Sequence, residues 1–260
     1  MAQSQTAPVG RVGCPKCVND GSPVAQSLRR ADELYAQFKT SDAERELVKV
    51  LRLDPHNAEA LSKLARVHID FGDRVSQSTA DWQEKRLKEY RVAEEYARKA
   101  VQTDPNSTWG HFYVAVSLGN IASLSPVEKQ IDLAGEIRDA IEKAISLDPQ
   151  NGFAYHAYGV WHRKLAEIGK MSRMLASIFY RRSVPQGSLA KSIAYLQKAV
   201  ALNPTVVVSR LELARSYIAM EEWSQARTFL MSLQDLPVQF SDDAQHKQEA
   251  TQLLEEIKGR

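Results

Sequence analysis

Small and apolar residues recur along the chain at fixed offsets from four prolines, each of which follows an aspartate or an asparagine. A small residue stands ten positions after each proline, and an alanine or valine stands five positions before it. Because a helix ends before an X-Pro pair and the next can begin just after it, this pattern predicts helical hairpins with close crossings. The positions are Pro55, Pro105, Pro149 and Pro204, then Ala65, Ala115, Gly159 and Ala214, and finally Val50, Ala100, Ala144 and Ala199.

Such hairpins cannot bury their apolar faces alone, so several must stack into a solenoid. We therefore expect an all-α fold, a right-handed superhelix of tetratricopeptide-like hairpins (about 10–12 helices) with extended or inserted helices. Residues 1–23 are expected to form a flexible lead-in, and residues 24–260 a single solenoid domain. The predicted helices span residues 24–38, 41–53, 56–71, 80–103, 107–124, 126–147, 151–169, 171–181, 188–202, 205–220, 223–234 and 242–258.

The repeat resembles the tetratricopeptide repeat, with its small residue in helix A, its alanine late in helix B and its proline. The proline intervals of 50, 44 and 55 residues exceed the repeat's usual period of about 34, so helices must be lengthened or segments inserted. The two insertions are expected at residues 72–86 and around residues 170–187.

A narrower resemblance lies between residues 158 and 204, where a Gly-x-Trp helix leads into a hydrophobic and basic insert. This stretch is similar to the regulator of microtubule dynamics family, with an Arg181-Arg182 pair where that family tends to have glycine. The resemblance runs from about residue 25 to the end, and it implies association with microtubules or the spindle and a role in chromosome segregation. The matching residues are Gly159, Trp161, Phe179, Tyr180, Pro185, Ala194, Leu196, Lys198, Ala199 and Pro204.

The inner face of the stack is predicted from the register of helix A, at 4, 7, 11, 14 and 15 positions after each proline. These residues form an aromatic wall flanked by cations, which suits an extended peptide, an amphipathic helix or an acyl chain. Two interpretations remain: an open groove, or insertions that fold over it and make Trp109, Phe112 and Phe153 part of the core. The candidate groove residues are Arg66, Trp109, Phe112, Phe153, His156, Arg163, Lys164 and Arg215.

The overall charge of +2, from 34 basic and 32 acidic residues, excludes a globally basic nucleic-acid binder. Residues 161–198 nevertheless hold eight basic residues and one acidic residue. Within them, Met171, Met174, Leu175, Ile178 and Phe179 have helical spacing, so a basic amphipathic helix either packs on the solenoid or meets acidic protein tails or an anionic membrane. The candidate basic surface comprises Lys170, Arg173, Arg181, Arg182 and Lys191.

Sequence motifs for chemistry are scarce. No metalloprotease, phosphate-loop, dinucleotide-binding or nucleophile-elbow motif occurs, so we expect neither an enzyme nor a cofactor. Cys14 and Cys17 supply half of a zinc site at most, and free thiols are the simpler interpretation. No apolar run approaches the roughly 20 residues of a membrane span. His68 and His162 occupy packed helix-A positions and are expected to be structural.

These patterns predict a non-catalytic scaffold that binds protein partners, either tubulin or microtubules at the basic surface, or a peptide or helix in the groove. The alternative is a lipid-binding domain at a membrane contact, because some relatives in the resembled family are membrane-tethered. Nucleic acid is not an expected partner. The expected location is cytoplasmic, at the cytoskeleton or spindle, with a mitochondrial or membrane-tethered form left open.

Overall fold

The structure, a computed structural model, describes residues 21–168 and 185–260, and these two ranges contain eleven α-helices and no β-strand. Most of the residues in these ranges are helical, as the pattern of prolines predicts. The helices are α1 Pro23–Ala36, α2 Thr40–Leu53, α3 Ala58–Asp73, α4 Trp82–Thr103, α5 Thr108–Ser123, α6 Val127–Leu147, α7 Gly152–Glu167, α8 Leu189–Leu202, α9 Val207–Ala219, α10 Trp223–Ser232 and α11 Asp243–Glu256.

The predicted all-α, tetratricopeptide-like architecture is confirmed. Each of the eleven helices begins and ends within two residues of its predicted bounds. The predicted helix at residues 171–181 lies outside the described residues, as do 20 of the 23 residues of the predicted lead-in. The remaining lead-in residues show that α1 begins at Pro23, where the Ser22 side chain accepts the backbone N–H of Ala25.

The Asp-Pro pairs end one hairpin and start the next through local hydrogen bonds. After α2, the Asp54 carboxylate accepts the backbone N–H of His56, and the Asn57 side chain then accepts the N–H of Ala60 as the N-cap of α3. Because an N-cap side chain satisfies one of the free N–H groups of the first turn, each such pair fixes where the next helix begins. The same arrangement recurs at Asp104 with Ser107, and at Asp148 with Asn151.

Consecutive helices pack as hairpins, α1 with α2 through to α9 with α10, and α11 packs on the last pair. The helix-A series α3, α5, α7 and α9 also packs in sequence along one side of the stack. The small residues sit at these crossings: Ala65 and Ala214 have no exposed surface, and a Cβ on Gly159 would lie 2.5 Å from Cγ of Leu196. The stack therefore depends on small side chains for its close approach.

The two helix-A histidines are packed, as predicted. His68 stacks on the ring of Tyr96 at 5.5 Å, and its Nδ1 lies 2.8 Å from a carboxylate oxygen of Glu89. His162 is 4% exposed and stacks on Tyr195. Both side chains therefore belong to the helix packing rather than to a reactive surface.

Candidate functional site: the concave cavity

A cavity with a volume of about 1990 Å³ lies on the helix-A side of the stack. That volume exceeds the roughly 300–1,000 Å³ of pockets for small molecules. Its walls come from α1, α3, α5, α6 and α7, and residues 237–242 between α10 and α11 close part of it. The concave face therefore surrounds a space larger than a usual small-molecule pocket, instead of forming a flat surface.

An aromatic wall forms one side of the cavity. Trp109 lies edge-on to Phe112 at 5.5 Å between ring centroids and stacks on Tyr113 at 5.8 Å. Phe153 continues the wall, 6.0 Å from Trp109. Phe112 is buried, whereas Trp109 and Phe153 are half-buried, so the wall is shared between the core and the cavity.

The covering of this wall comes from the C-terminal part of the chain. Phe240, in the segment of residues 237–242, meets Phe153 edge-on at 6.1 Å. Of the first insertion, residues 72–86, only Asp73 reaches the cavity. The second insertion lies mostly outside the described residues. Among the described residues, the aromatic wall is therefore partly covered by a loop that the repeat pattern does not mark.

Arg66 lies where α1 and α3 meet at the cavity. Its guanidinium stacks 3.6 Å from the centroid of the Tyr35 ring and lies 3.6 Å from a carboxylate oxygen of Asp32. Asp32 also pairs with Lys63, a fully buried lysine whose ammonium lies 3.1 Å from Glu59. The charge of Arg66 is thus shared with fixed neighbours, which positions its side chain on the cavity wall.

Three carboxylates gather near the end of α3 and the closing loop. The pKa of Asp73 is raised to about 6, mainly because the surrounding walls remove the carboxyl from water, with smaller contributions from the negative charges of Asp242 and Asp70. The hydroxyl of Tyr90 donates a hydrogen bond to Asp73 at 2.7 Å, and this hydrogen bond lowers the pKa of Asp73. Burial also raises the pKa of Asp70, with a smaller contribution from Asp242. This end of the cavity is therefore acidic.

His156 lines the cavity and makes a contact that sequence spacing did not reveal. Its Nδ1 lies 3.1 Å from Oγ of Ser209, across from α7 to α9. Burial lowers the pKa of His156, which favours the neutral ring. Because Ser209 is 2% exposed, a dissolved substrate has little access to its hydroxyl, and the contact acts as a tie between two helices.

Asp242, Asp243 and His246 bring three possible metal-ligand atoms within 4.8 Å of one another. One oxygen of Asp243 is already used, because it accepts the backbone N–H groups of Gln239 and Phe240 at 2.7 and 2.9 Å. Asp243 has no exposed surface. Its carboxylate holds the closing loop in its turn, which is a sufficient role for a buried acid at the start of α11.

Arg163 and Arg215, two of the predicted groove residues, do not line the cavity. Both pair with Glu212, which is 6% exposed, and Arg163 also bonds Glu167 at 2.9 Å. Arg215 pairs with Glu249 of α11 as well. These arginines form an ion cluster that joins α7, α9 and α11, with Arg163 and Glu212 buried at its centre and Arg215 partly exposed. The other six predicted groove residues, Arg66, Trp109, Phe112, Phe153, His156 and Lys164, do line the cavity.

The candidate basic surface is described at one of its five residues. Lys191 is exposed in the first turn of α8, whereas Lys170, Arg173, Arg181 and Arg182 lie outside the described residues. Elsewhere in the basic stretch, the ammonium of Lys198 donates to the hydroxyl of Tyr155 at 2.7 Å. Cys14 and Cys17 also lie outside the described residues. In the described ranges, no helix combines the length and the apolar character that crossing a bilayer requires.

Comparison with known proteins finds one family whose match covers almost the whole helical stack. The sequence profile described as regulator of microtubule dynamics protein 1–3 matches residues 27–258. Regulator of microtubule dynamics protein 1 of Pongo abelii is 27% identical over 91% of this chain and 74% of its own length. Regulator of microtubule dynamics protein 3 of Xenopus laevis is 26% identical over 88% of this chain and 48% of its own length.

Solved structures show the same fold at lower identity. A thermophilic tetratricopeptide-repeat protein of Thermus thermophilus superposes with a TM-score of 0.64 at 18% identity, over 89% of this chain and 98% of that one. The type IV pilus biogenesis factor PilW superposes with a TM-score of 0.55 at 18% identity, over 94% and 96% of the two chains. At these identities the likeness concerns the architecture of stacked helical hairpins.

Proposed function

The chain belongs to the regulator of microtubule dynamics family, and from this premise we propose that it is a non-catalytic tetratricopeptide scaffold that binds protein partners. In this proposal it associates with microtubules or the spindle and influences microtubule dynamics and chromosome segregation. The observation that carries the proposal is the match of the family profile over residues 27–258, which spans almost the whole helical stack.

The proposal gives the cavity and the basic stretch different binding roles. The cavity, with its aromatic wall, holds a peptide or a helix of a partner. The basic residues of the 161–198 stretch meet the acidic tails of tubulin, where long-range attraction speeds association without deep burial. Arg163 contributes little to that attraction because Glu212 and Glu167 compensate its charge. Its part is to hold the wall of the cavity.

Cosedimentation with microtubules at increasing salt tests this proposal. We expect the chain to pellet with microtubules and to be released as salt rises, since exposed charges more than a Debye length apart are largely screened. Reversal of Arg173, Arg181 and Arg182 to glutamate should abolish pelleting. The matched control reverses Arg52, Lys129 and Lys143, which are exposed basic residues outside the stretch. Undiminished pelleting of the first variant, or equal loss in the control, would contradict the basic-surface proposal.

A second candidate function is lipid binding at a membrane contact, and the size and lining of the cavity favour it. Apolar side chains of α6 and α7, including Ile137, Ile141 and Val160, line the cavity of about 1990 Å³ together with the aromatic wall. Native mass spectrometry of the purified chain should then detect a co-purified lipid, and the chain should bind anionic liposomes. Finding neither would remove this candidate.

The location follows from whichever partner is bound. A microtubule-binding scaffold acts in the cytoplasm, at the cytoskeleton or the spindle. A lipid-binding form acts at a mitochondrial or other membrane to which it is tethered. Imaging of the tagged full-length protein against microtubule and mitochondrial markers separates the two, since a scaffold of the first kind should redistribute when microtubules are depolymerised.

A further inference from the structure

The aspartate, glutamate, lysine and arginine side chains that line the cavity are mostly acidic. Three cationic side chains reach it, Arg29, Arg66 and Lys164. Six carboxylates do so as well: Asp32, Glu33, Glu59, Asp70, Asp73 and Asp242. The helix-A register suggested a wall flanked by cations, because it placed Arg163 and Arg215 in the groove and counted neither α1 nor the closing loop. The whole cavity has the opposite sign.

Three of these carboxylates have cationic partners within 3.1 Å. Lys63 pairs with both Asp32 and Glu59, and Glu33 bonds Arg30 at 3.1 Å. The charges at the α1 side of the cavity are therefore largely balanced within the fold.

The remaining three carboxylates, Asp70, Asp73 and Asp242, have more distant cationic partners. Arg74 approaches Asp70 at 3.8 Å, and His246 approaches Asp242 at 3.7 Å. Tyr35 also donates a hydrogen bond to Asp70, and the positive charge of Arg66 lowers the pKa of that carboxyl. Arg86 directs its donors at the backbone carbonyl oxygens of Asp73 and Val75 instead of at a carboxylate. Like charges held together in partly desolvated surroundings raise one another's free energy, and a cation placed among them relieves that cost.

This acidic end adjoins the aromatic wall. Asp242 lies two residues after Phe240, the ring that meets Phe153 on that wall. A ligand in the cavity would therefore meet apolar surface and negative charge side by side. A segment with an apolar face and basic side chains complements both.

We propose that the cavity binds an amphipathic protein segment, with its apolar side chains on the wall of Trp109, Phe112 and Phe153 and a lysine or arginine among Asp70, Asp73 and Asp242. The proposal rests on the scaffold function above and specifies the chemistry of the groove partner. It also assigns acidic tubulin tails to the basic surface alone, because the acidic end of the cavity repels them.

Fluorescence anisotropy with two labelled peptides tests the sign of the charge. One is a short amphipathic helix of leucine and lysine, and the other has glutamate in place of each lysine. We expect the lysine peptide to bind at least about tenfold more tightly at low salt, with the difference narrowing as salt rises. Equal or tighter binding of the glutamate peptide would overturn the proposal.

A variant that fills the cavity tests the location. Gly119 lines the cavity, and a Cβ at this position meets nothing within 4 Å among the described residues. Gly119→Trp should therefore fold, occupy the space beside the wall and abolish peptide binding. Gly135 is equally free of neighbours within 4 Å but does not line the cavity, so Gly135→Trp is the matched control and should bind normally. Circular dichroism and melting of both variants verify their folding.

A charge variant provides an independent second test. Replacing Asp70, Asp73 and Asp242 with asparagine should weaken binding of the lysine peptide about tenfold or more, and it should not weaken binding of the glutamate peptide. The control removes the same charge elsewhere, by Glu84→Gln, Glu128→Gln and Glu256→Gln at exposed positions. Equal weakening in the control would mean that net charge, and not this cluster, attracts the peptide, and the proposal would fail.

The failure of this inference differs from the failure of the proposed function. The chain could pellet with microtubules while neither Gly119→Trp nor the asparagine variant changes binding of the lysine peptide. In that case the inference about the cavity is wrong and the scaffold function stands. A lipid or a second copy of the chain, found by native mass spectrometry and lost in Gly119→Trp, also overturns the inference. If the lysine peptide binds as predicted and both variants weaken its binding, but the chain does not pellet with microtubules, the inference is supported and the proposal that microtubules are a partner is wrong.

Discussion

Substitution of Glu212 tests whether the buried arginines behind the aromatic wall are structural. Glu212 is 6% exposed and pairs with both Arg163, which is 5% exposed, and Arg215. Glu212→Gln keeps the size of the side chain and removes its charge. Arg163 is then left buried with a single carboxylate, that of Glu167 at 2.9 Å. We expect a clear loss of stability.

The size of the loss follows from this partial compensation. Removing one partner of a buried ion pair costs about 3–5 kcal/mol, because it leaves an uncompensated charge. Glu167 and Glu249 remain and are partly exposed, so the expected cost lies near the lower limit, at about 3 kcal/mol. For a chain of this size each kcal/mol lowers the Tm by about 2–4 °C, which predicts a decrease of about 6–12 °C.

Thermal melting followed by circular dichroism at pH 7 measures this effect. The control is Glu95→Gln, which breaks an exposed pair with Lys99 and should change the free energy of unfolding by less than about 0.5 kcal/mol. A double variant, Glu212→Leu with Arg163→Met, removes both charges and should recover much of the loss. A Glu212→Gln variant that melts with the control would refute the assignment of a buried ion cluster.

The pH dependence provides a further check on Glu212. Burial alone would raise its pKa, but Arg163 and Arg215 hold the pKa below the ordinary value of 4.5. A carboxylate with a lowered folded-state pKa contributes stability above its unfolded pKa and loses that contribution as pH falls through the folded value. The difference in Tm between the natural chain and Glu212→Gln should therefore be full at pH 6–7 and shrink below about pH 4.5.

Three further predictions concern the packing and the acidic end of the cavity. A Cβ on Gly72 would lie 2.4 Å from Cε1 of Tyr90, so Gly72→Ala should cost about 1–3 kcal/mol in chemical denaturation, whereas Gly135→Ala should be neutral or stabilising. Asn57→Ala removes the N-cap of α3 and should cost about 1 kcal/mol, and an equal melting curve for the variant would contradict the capping role. Because the pKa of Asp73 is raised to about 6, with Asp70, Asp242, Tyr90 and Arg86 around it, its ionised form opposes folding above that pH. Asp73→Asn should raise the Tm relative to the natural chain at pH 7.5 and raise it less as pH falls below 6, and a constant difference would contradict the shift.

Local signals were sufficient for the helices at the repeat boundaries because most of these boundaries have a chemical cause within a few residues. The X-Pro pairs end the helices, and Asn57, Ser107 and Asn151 cap the next ones. The small residues at the crossings were found by their fixed distance from each proline. At the fourth repeat, Val206 precedes α9 without a side-chain cap, and the helix still begins near its predicted position. There the Asn203-Pro204 pair was the sufficient signal.

The cavity was only partly predictable because its walls are not all in the repeat. Trp109, Phe112 and Phe153 follow from the helix-A register. Residues of α1 are missing from that register because no Asp-Pro or Asn-Pro pair precedes the helix, and the closing loop lies beyond the last repeat. Arg163 illustrates a second reason why the prediction was incomplete. The helix-A register predicts which way a side chain points, but only the folded structure shows that Glu212 lies close enough to neutralise the charge of Arg163.

The separation of charge within one chain argues for two kinds of partner. The basic stretch has a surplus of seven positive charges, and the rest of the chain is left with five negative ones, in a total of +2. In the rest of the chain, three carboxylates, those of Asp70, Asp73 and Asp242, lie at the cavity end beside the aromatic wall. A single strongly charged partner would be attracted by one surface and repelled by the other. Two partners of opposite charge satisfy both surfaces, and that is the arrangement that suits a scaffold whose task is to hold one protein beside another.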